Sequence, residues 1–83
     1  MMKVWTCSMY SGLSGSTFIL GVFSDVSKAE QQAKVWLQGI GEMCEETDRT
    51  NDPDSITIYY QTIRTETPYT ATIEQFELDN FSF

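Results

Sequence analysis

The side chains in this sequence that could carry chemistry are mostly carboxylates. Six acids stand between positions 42 and 54 with a single base, Arg49, among them: Glu42, Glu45, Glu46, Asp48, Asp52 and Asp54. Like charges held close together create a field of several kT, which suits docking on a basic groove or imitation of a phosphate backbone. The alternative is a solvated helix end and loop whose charge only maintains solubility. Acids near a helix C-terminus oppose the macrodipole, so we interpret the six as partner-binding residues.

Catalysis has little support in the residue types. The chain contains no histidine, so the commonest general base and the commonest metal ligand are missing. Cys7 and Cys44 have no flanking base that would activate a thiolate. Glu74 and Glu77 would point to opposite faces of a regular strand, which separates them as an acid–base pair. We expect a protein that is not an enzyme and binds no cofactor.

A metal site is also not expected. Asp48, Asp52 and Asp54 offer oxygen ligands at short spacing, but the loop lacks the central glycine and the closing glutamate of an EF-hand. The loop at 12–16 contains two glycines, yet no lysine follows it and the next element is a predicted strand. We interpret that loop as a hairpin turn and not as a phosphate cradle.

Length and charge limit the class of protein. The chain has 83 residues, 41% of them hydrophobic, which predicts a single domain over 1–83 with a core of its own. The net charge of -7 argues against direct binding of nucleic acid. No signal peptide and no apolar run long enough for a membrane span is found. We therefore expect a soluble cytoplasmic protein with reduced cysteines and no membrane partner.

Four strands and one helix are predicted along the chain. Period-two patterns favour strands at 3–10, 17–23, 56–64 and 69–78. The strand at 17–23 is apolar on both faces, which favours a central place in the sheet. Ser27 and Glu30 fit a capping box, with Ser24 or Asp25 as the alternative cap.

An apolar stripe extends that helix past Gly39 and Gly41 to about residue 46, and 47–55 is predicted as a loop. The expected fold is α+β: a four-stranded antiparallel sheet with one helix on one face, in the order β-β-α-β-β.

Such a sheet leaves one face uncovered. Tyr59 and Ile63 are expected there with one of Val4, Ile19 and Phe18, together with the terminal aromatics Phe81 and Phe83. Aromatic side chains are enriched at binding hot spots, so Tyr59, Phe81 and Phe83 are predicted to bind a partner. A second copy of the chain is one such partner, which makes a homodimer a further expectation.

The run Gly21-Val22-Phe23-Ser24-Asp25-Val26-Ser27-Lys28-Ala29-Glu30 resembles the strand-to-helix junction of short phage and bacterial proteins. In these proteins "GVFS" precedes a "KAE" helix start. Small acidic phage proteins of this kind are similar to anti-CRISPR and other anti-defence proteins, some of which mimic nucleic acid. The resemblance implies a phage-encoded inhibitor acting in the host cytoplasm and assigns no catalytic residue.

Two hypotheses about function follow. The first is a non-enzymatic acidic protein that occupies a basic nucleic-acid-binding groove of a host protein complex. The second is a small homo-oligomeric accessory or structural protein whose interface is the open aromatic sheet face.

Overall fold

The structure, a computed structural model, describes residues 2–78. Within this range the chain forms five strands and one helix. They are β1 (Met2–Ser11), β2 (Thr17–Phe23), α1 (Val26–Gln38), β3 (Cys44–Asn51), β4 (Ser55–Thr62) and β5 (Pro68–Leu78).

The five strands form one antiparallel sheet in the order β2-β1-β5-β4-β3. The predicted α+β class with a single helix agrees with this arrangement. The predicted four-stranded sheet and the element order β-β-α-β-β are wrong, because β3 adds a fifth strand after the helix. The extra strand forms from the acidic segment that was predicted as a helix end and a loop.

The helix is shorter than predicted. It starts at the alternative cap, Asp25, whose carboxylate accepts a hydrogen bond from the Lys28 backbone N–H at 3.0 Å. It ends at Gln38 with Gly39 as the C-cap. Gly41 then adopts a φ of 81°, a left-handed conformation that turns the chain out of the helical path. Ile40, Met43 and Cys44 therefore match the helical phase without lying in a helix.

The core lies between α1 and one face of the sheet. The helix rests mainly on β1, β2 and β5, and its buried side is formed by Ala29, Ala33 and Leu37. Alanine at two of these positions lets the helix approach the sheet closely. The sheet contributes Cys7, Met9, Ile58, Tyr60, Tyr69, Ala71 and Ile73.

Strand β2 lies at an edge of the sheet and not at its centre, where its apolar sequence had placed it. Phe18 packs on Trp36 of the helix with ring centroids 5.5 Å apart, and Trp36 also meets Tyr69 at 5.8 Å. The other side of β2 presents Ile19 and Val22 to solvent, with exposed fractions of 79% and 62%. One face of this strand is therefore apolar without being buried.

Candidate functional site

The side of the sheet turned away from α1, here called the open face, follows from the strand register. In β4 the buried residues Ile58 and Tyr60 face the helix, so Tyr59 faces the other way. Tyr59 pairs with Thr70, which in turn pairs with Tyr10, so these side chains form one row across three strands. Hydroxyl side chains dominate the neighbouring rows: Thr6, Ser8, Thr50, Ser55, Thr57 and Thr72.

Strand β3 divides the acidic segment between two faces. Glu45 pairs with Gln61 and Asp48 pairs with Tyr59, which places both carboxylates on the open face. Glu46 pairs with Tyr60 and therefore faces the helix side. The register shifts between Glu46 and Asp48, so the intervening Thr47 is an extra residue in the ladder. This bulge puts Asp48 on the same face as Glu45.

Arg49 bridges two carboxylates on the helix side. Its guanidinium donates to both carboxylate oxygens of Glu46, at 3.0 Å from Nε and 2.7 Å from Nη2. The same Nη2 lies 2.6 Å from Oε1 of Glu30 on the helix. The hydrogen bond from Arg49 lowers the pKa of Glu46, and the two carboxylates raise the pKa of Arg49. Arg49 thus ties Glu46 of β3 to Glu30 of α1, and the partner-binding role of Glu46 stays a prediction.

The remaining acids of the segment lie at opposite ends of β3. Asp52 and Asp54 belong to the β3–β4 turn, where Asp52 N–H donates to the Ser55 carbonyl at 2.9 Å. The Asp54 carbonyl accepts from Gln75 N–H at 2.8 Å, which fixes the turn against β5. Glu42 precedes the other end of the strand. An eight-residue strand is roughly 25 Å long, so the six acids extend along an edge and do not form one cluster.

Glu74 joins the open face, and the sequence interpretation missed it as a binding residue. It pairs with Thr6 on one side and Ser55 on the other, beside the turn that carries Asp54. The alternation of β5, with Ala71 and Ile73 buried, was the signal that could have placed it. Glu45, Asp48 and Glu74 are therefore the three strand carboxylates of the open face.

The aromatic predictions have mixed outcomes. Tyr59 lies exposed on the open face, as its alternation predicted. Ile63 does not lie there, because it follows the end of β4 in a turn and its N–H donates to the Met43 carbonyl at 3.0 Å. Phe81 and Phe83 lie outside the described residues. Their partner-binding role, like that of Tyr59, stays a prediction.

The basic side chains of the described residues lie elsewhere. Lys28 and Lys34 belong to the helix, and Arg49 faces the helix side of the sheet. Lys3 alternates with the buried Val4 and shares the helix side with Trp5, while Arg64 lies in the β4–β5 turn. Over residues 2–78 the open face consequently carries carboxylates, hydroxyls and some apolar side chains but no lysine or arginine.

Within residues 2–78, neither cysteine has a lowered thiol pKa. Burial raises the pKa of the Cys7 thiol to about 11, and burial with the Glu42 charge raises the pKa of Cys44. Both thiols are therefore poor nucleophiles at neutral pH. Among residues 2–78, no group of three or more acids and cysteines is arranged to hold a metal ion. The single helix in this range, α1, is not long and apolar enough to cross a membrane.

Comparison with known proteins found no matching family model, no matching curated protein and no matching solved structure. The resemblance of 21–30 to phage proteins is therefore a hypothesis that depends on those ten residues alone. Any proposed function therefore depends on the geometry of the open face.

Proposed function

We propose that this chain is a non-catalytic binding protein whose open face and β3 edge dock on a basic nucleic-acid-binding groove of a host protein complex. A phage-encoded anti-CRISPR or other anti-defence inhibitor would act in this way. The single observation that supports the proposal is the separation of charge. Carboxylates occupy the open face and the β3–β4 turn, whereas the lysines and arginines described above lie on the helix side or in a turn.

The shape of this surface supports the same partner. Glu45, Asp48 and Glu74 are carried on paired strands, so their positions are fixed by the backbone ladder and not by flexible loops. Threonine and serine hydroxyls between them can donate and accept hydrogen bonds. A regular array of negative and hydroxyl groups presents to a basic groove what a nucleic acid backbone presents. Because Arg49 pairs with Glu46, the other two carboxylates of β3, Glu45 and Asp48, are the ones on the open face.

The test exchanges charge without changing shape. The double variant E45Q/D48N removes two charges from the open face. The control variant E66Q/E77Q removes one charge from the β4–β5 turn and one from the helix side of β5. Wild type and both variants would be used to capture proteins from a bacterial lysate, and the captured protein would then be purified. Its affinity for each variant and its competition with a labelled DNA duplex would be measured by fluorescence anisotropy.

We expect E45Q/D48N to bind at least tenfold more weakly than wild type, and E66Q/E77Q to bind within about twofold of it. Wild type should displace the duplex from the partner. Equal affinity of the two double variants, or a partner that holds the duplex and this protein together, would contradict the proposal.

A second function, a homo-oligomeric accessory or structural protein, is supported by a different observation. The open face carries apolar side chains towards β2, where Ile19 and Val22 are exposed, and Phe76 is exposed on β5. Strand β2 contains no charged residue and its outer edge is unpaired within the described sheet. Such an edge can pair with a second copy. Sedimentation analysis of wild type and Ile19→Lys tests this function, which requires a dimer that the substitution dissociates.

A further inference from the structure

The middle of strand β3, residues 45–51 and here called the strap, is held less firmly than the rest of the sheet. It pairs with β4 alone, because β3 lies at the edge, and the helix rests mainly on β1, β2 and β5. Every side chain of the strap is exposed except that of Arg49, which is half-buried. Segments with few buried contacts are those that open without unfolding of the whole domain.

Both ends of the strap are fixed. Before it, the Met43 carbonyl accepts a hydrogen bond from Ile63 N–H at 3.0 Å. After it, Asp52 N–H donates to the Ser55 carbonyl at 2.9 Å, and Ser55 N–H donates to the Asp52 carbonyl at 3.4 Å. The strap can therefore separate from β4 in its middle while its ends stay in place.

Arg49 is the side chain that ties the strap to the helix. Its guanidinium lies 2.6 Å from a carboxylate oxygen of Glu30 on α1 and 2.7 Å from one of Glu46 on β3. Thr47, at the bulge, donates to the Tyr59 carbonyl at 3.2 Å and so ties the strap only to β4. Among residues 2–78, Arg49 makes the only side-chain hydrogen bond or ion pair between the strap and α1.

Tyr60 lies beneath this bridge and opposes its closure. It pairs with Glu46 in the sheet and is only 5% exposed. Burial and then the charges of Glu30 and Glu46 raise the pKa of Tyr60 to about 12, which agrees with a hydroxyl close to the bridge. Within residues 2–78 that hydroxyl has no hydrogen-bond partner. A buried hydroxyl without a partner is destabilising, and separation of the strap would let water bind it.

The strap covers an edge that would otherwise attract other chains. Strand β4, Ser55–Thr62, contains no charged residue and is rich in isoleucine and tyrosine. An uncharged edge of this composition pairs readily with other strands. The strap occupies that edge with a segment that carries Glu45, Glu46 and Asp48.

We propose that the strap opens and closes on β4 separately from the rest of the sheet, with Arg49 holding it closed and the Tyr60 hydroxyl favouring release. The closed strap protects the β4 edge, and the open strap exposes it. The proposed docking uses Glu45 and Asp48 of the closed strap. The opening is a property of the free protein, so it can be refuted without any consequence for the docking.

Native-state hydrogen exchange of the free full chain, followed by ¹H–¹⁵N NMR, tests this inference. After correction for intrinsic rates, the most protected amides of β3 should exchange at least about tenfold faster than those of β5. Urea below the unfolding transition should leave the β3 rates unchanged and raise the β5 rates, because local opening exposes little surface. Equal protection of the two strands with the same urea dependence would overturn the proposal.

Two matched pairs of variants test the roles of the side chains. Tyr60→Phe should slow β3 exchange about fivefold by removing the unpartnered hydroxyl, whereas Tyr59→Phe on the open face should leave it unchanged. Arg49→Gln should speed β3 exchange about fivefold, whereas Arg64→Gln in the β4–β5 turn should not alter it. Exchange of β3 that Tyr60→Phe does not slow, or that Arg49→Gln does not speed, would also overturn the proposal.

Discussion

At the scale of single residues, Arg49 determines which acids of the β3 segment are free. Its side chain joins Glu46 on its own strand to Glu30 on the helix. The sequence shows one base among six acids but cannot show which of them it pairs with. That depends on the bulge at Thr47, which turns Asp48 to the open face and Arg49 to the helix side. The six acids were predicted as one set, and the fold places Glu46 on the helix side, apart from Glu45 and Asp48.

Replacing Arg49 with Gln should destabilise the fold by about 1 kcal/mol at neutral pH, because the ion pairs are partly exposed and such pairs contribute little. Arg49 lowers the pKa of Glu46 below its ordinary value near 4.5. The stabilisation is therefore present above that value and lost as the pH falls through the lowered pKa. Urea unfolding at pH 7 and at strongly acid pH measures the difference.

Arg64→Gln in the β4–β5 turn is the matched control and should change stability little at either pH. A penalty for Arg49→Gln that persists unchanged in strong acid would show that the side chain acts through packing and not through Glu46.

The two thiols should differ in reactivity. Cys7 is fully buried and Cys44 is partly exposed, so iodoacetamide should modify Cys44 first and Cys7 only on unfolding, as read by mass spectrometry.

Burial raises the pKa of Cys7 from 9.0 to about 11. Because the folded pKa lies above the unfolded one, the Cys7 contribution to stability is complete below about pH 9 and is lost as the pH rises towards 11. Modification of both thiols at equal rates in the folded protein would contradict the placement of Cys7.

At the scale of elements, the sequence predicted the strands that have an apolar face. It missed β3, which has none. Strand β3 has no alternating apolar residues, and Cys44 is its only partly buried hydrophobic residue. Its conformation comes from pairing with β4 across a turn that contains Asp52 and Pro53. The helical stripe was extended through Met43 and Cys44 by coincidence of phase, whereas the glycines after Gln38 end the helix. Strands β1, β2, β4 and β5 were predictable from their apolar patterns, and the helix start from the alternative cap Asp25.

The contact between the β1–β2 loop and the start of β5 should be intolerant of added volume. Gly12 N–H donates to the Pro68 carbonyl at 2.8 Å, and a Cβ on Gly12 would lie 2.6 Å from that oxygen and from the proline ring. Gly12→Ala should therefore cost about 2–3 kcal/mol, since backbone must move. Gly15→Ala, where open space surrounds the residue but φ is 72°, should cost about 1 kcal/mol from backbone strain alone. Urea unfolding compares the two, and equal losses would show that the loop moves freely away from Pro68.

At the scale of the whole molecule, the sheet has two different edges. Strand β3 at one edge is charged and bulged, features that discourage pairing with another chain. Strand β2 at the other edge is uncharged and presents Ile19 and Val22. The sequence predicted an open face with Ile19 among its candidate residues, but it placed β2 at the centre of the sheet, because the strand order that puts β2 outermost is a property of the complete sheet.

The two proposed functions should respond to salt in opposite directions. Binding through Glu45, Asp48 and Glu74 is electrostatic and exposed, so screening should weaken it at least tenfold between about 20 mM and about 500 mM NaCl, as the Debye length falls below about 5 Å. Association through Ile19 and Val22 is apolar and is opposed by the charge of -7 on each copy, so the same salt should strengthen it.

Sedimentation equilibrium at micromolar concentration measures self-association, and anisotropy measures partner binding. Ile19→Lys should abolish self-association, and E45Q/D48N should weaken partner binding at least tenfold while self-association persists. Partner binding that is insensitive to salt, together with a protein that remains monomeric at about 500 mM NaCl, would contradict both functions.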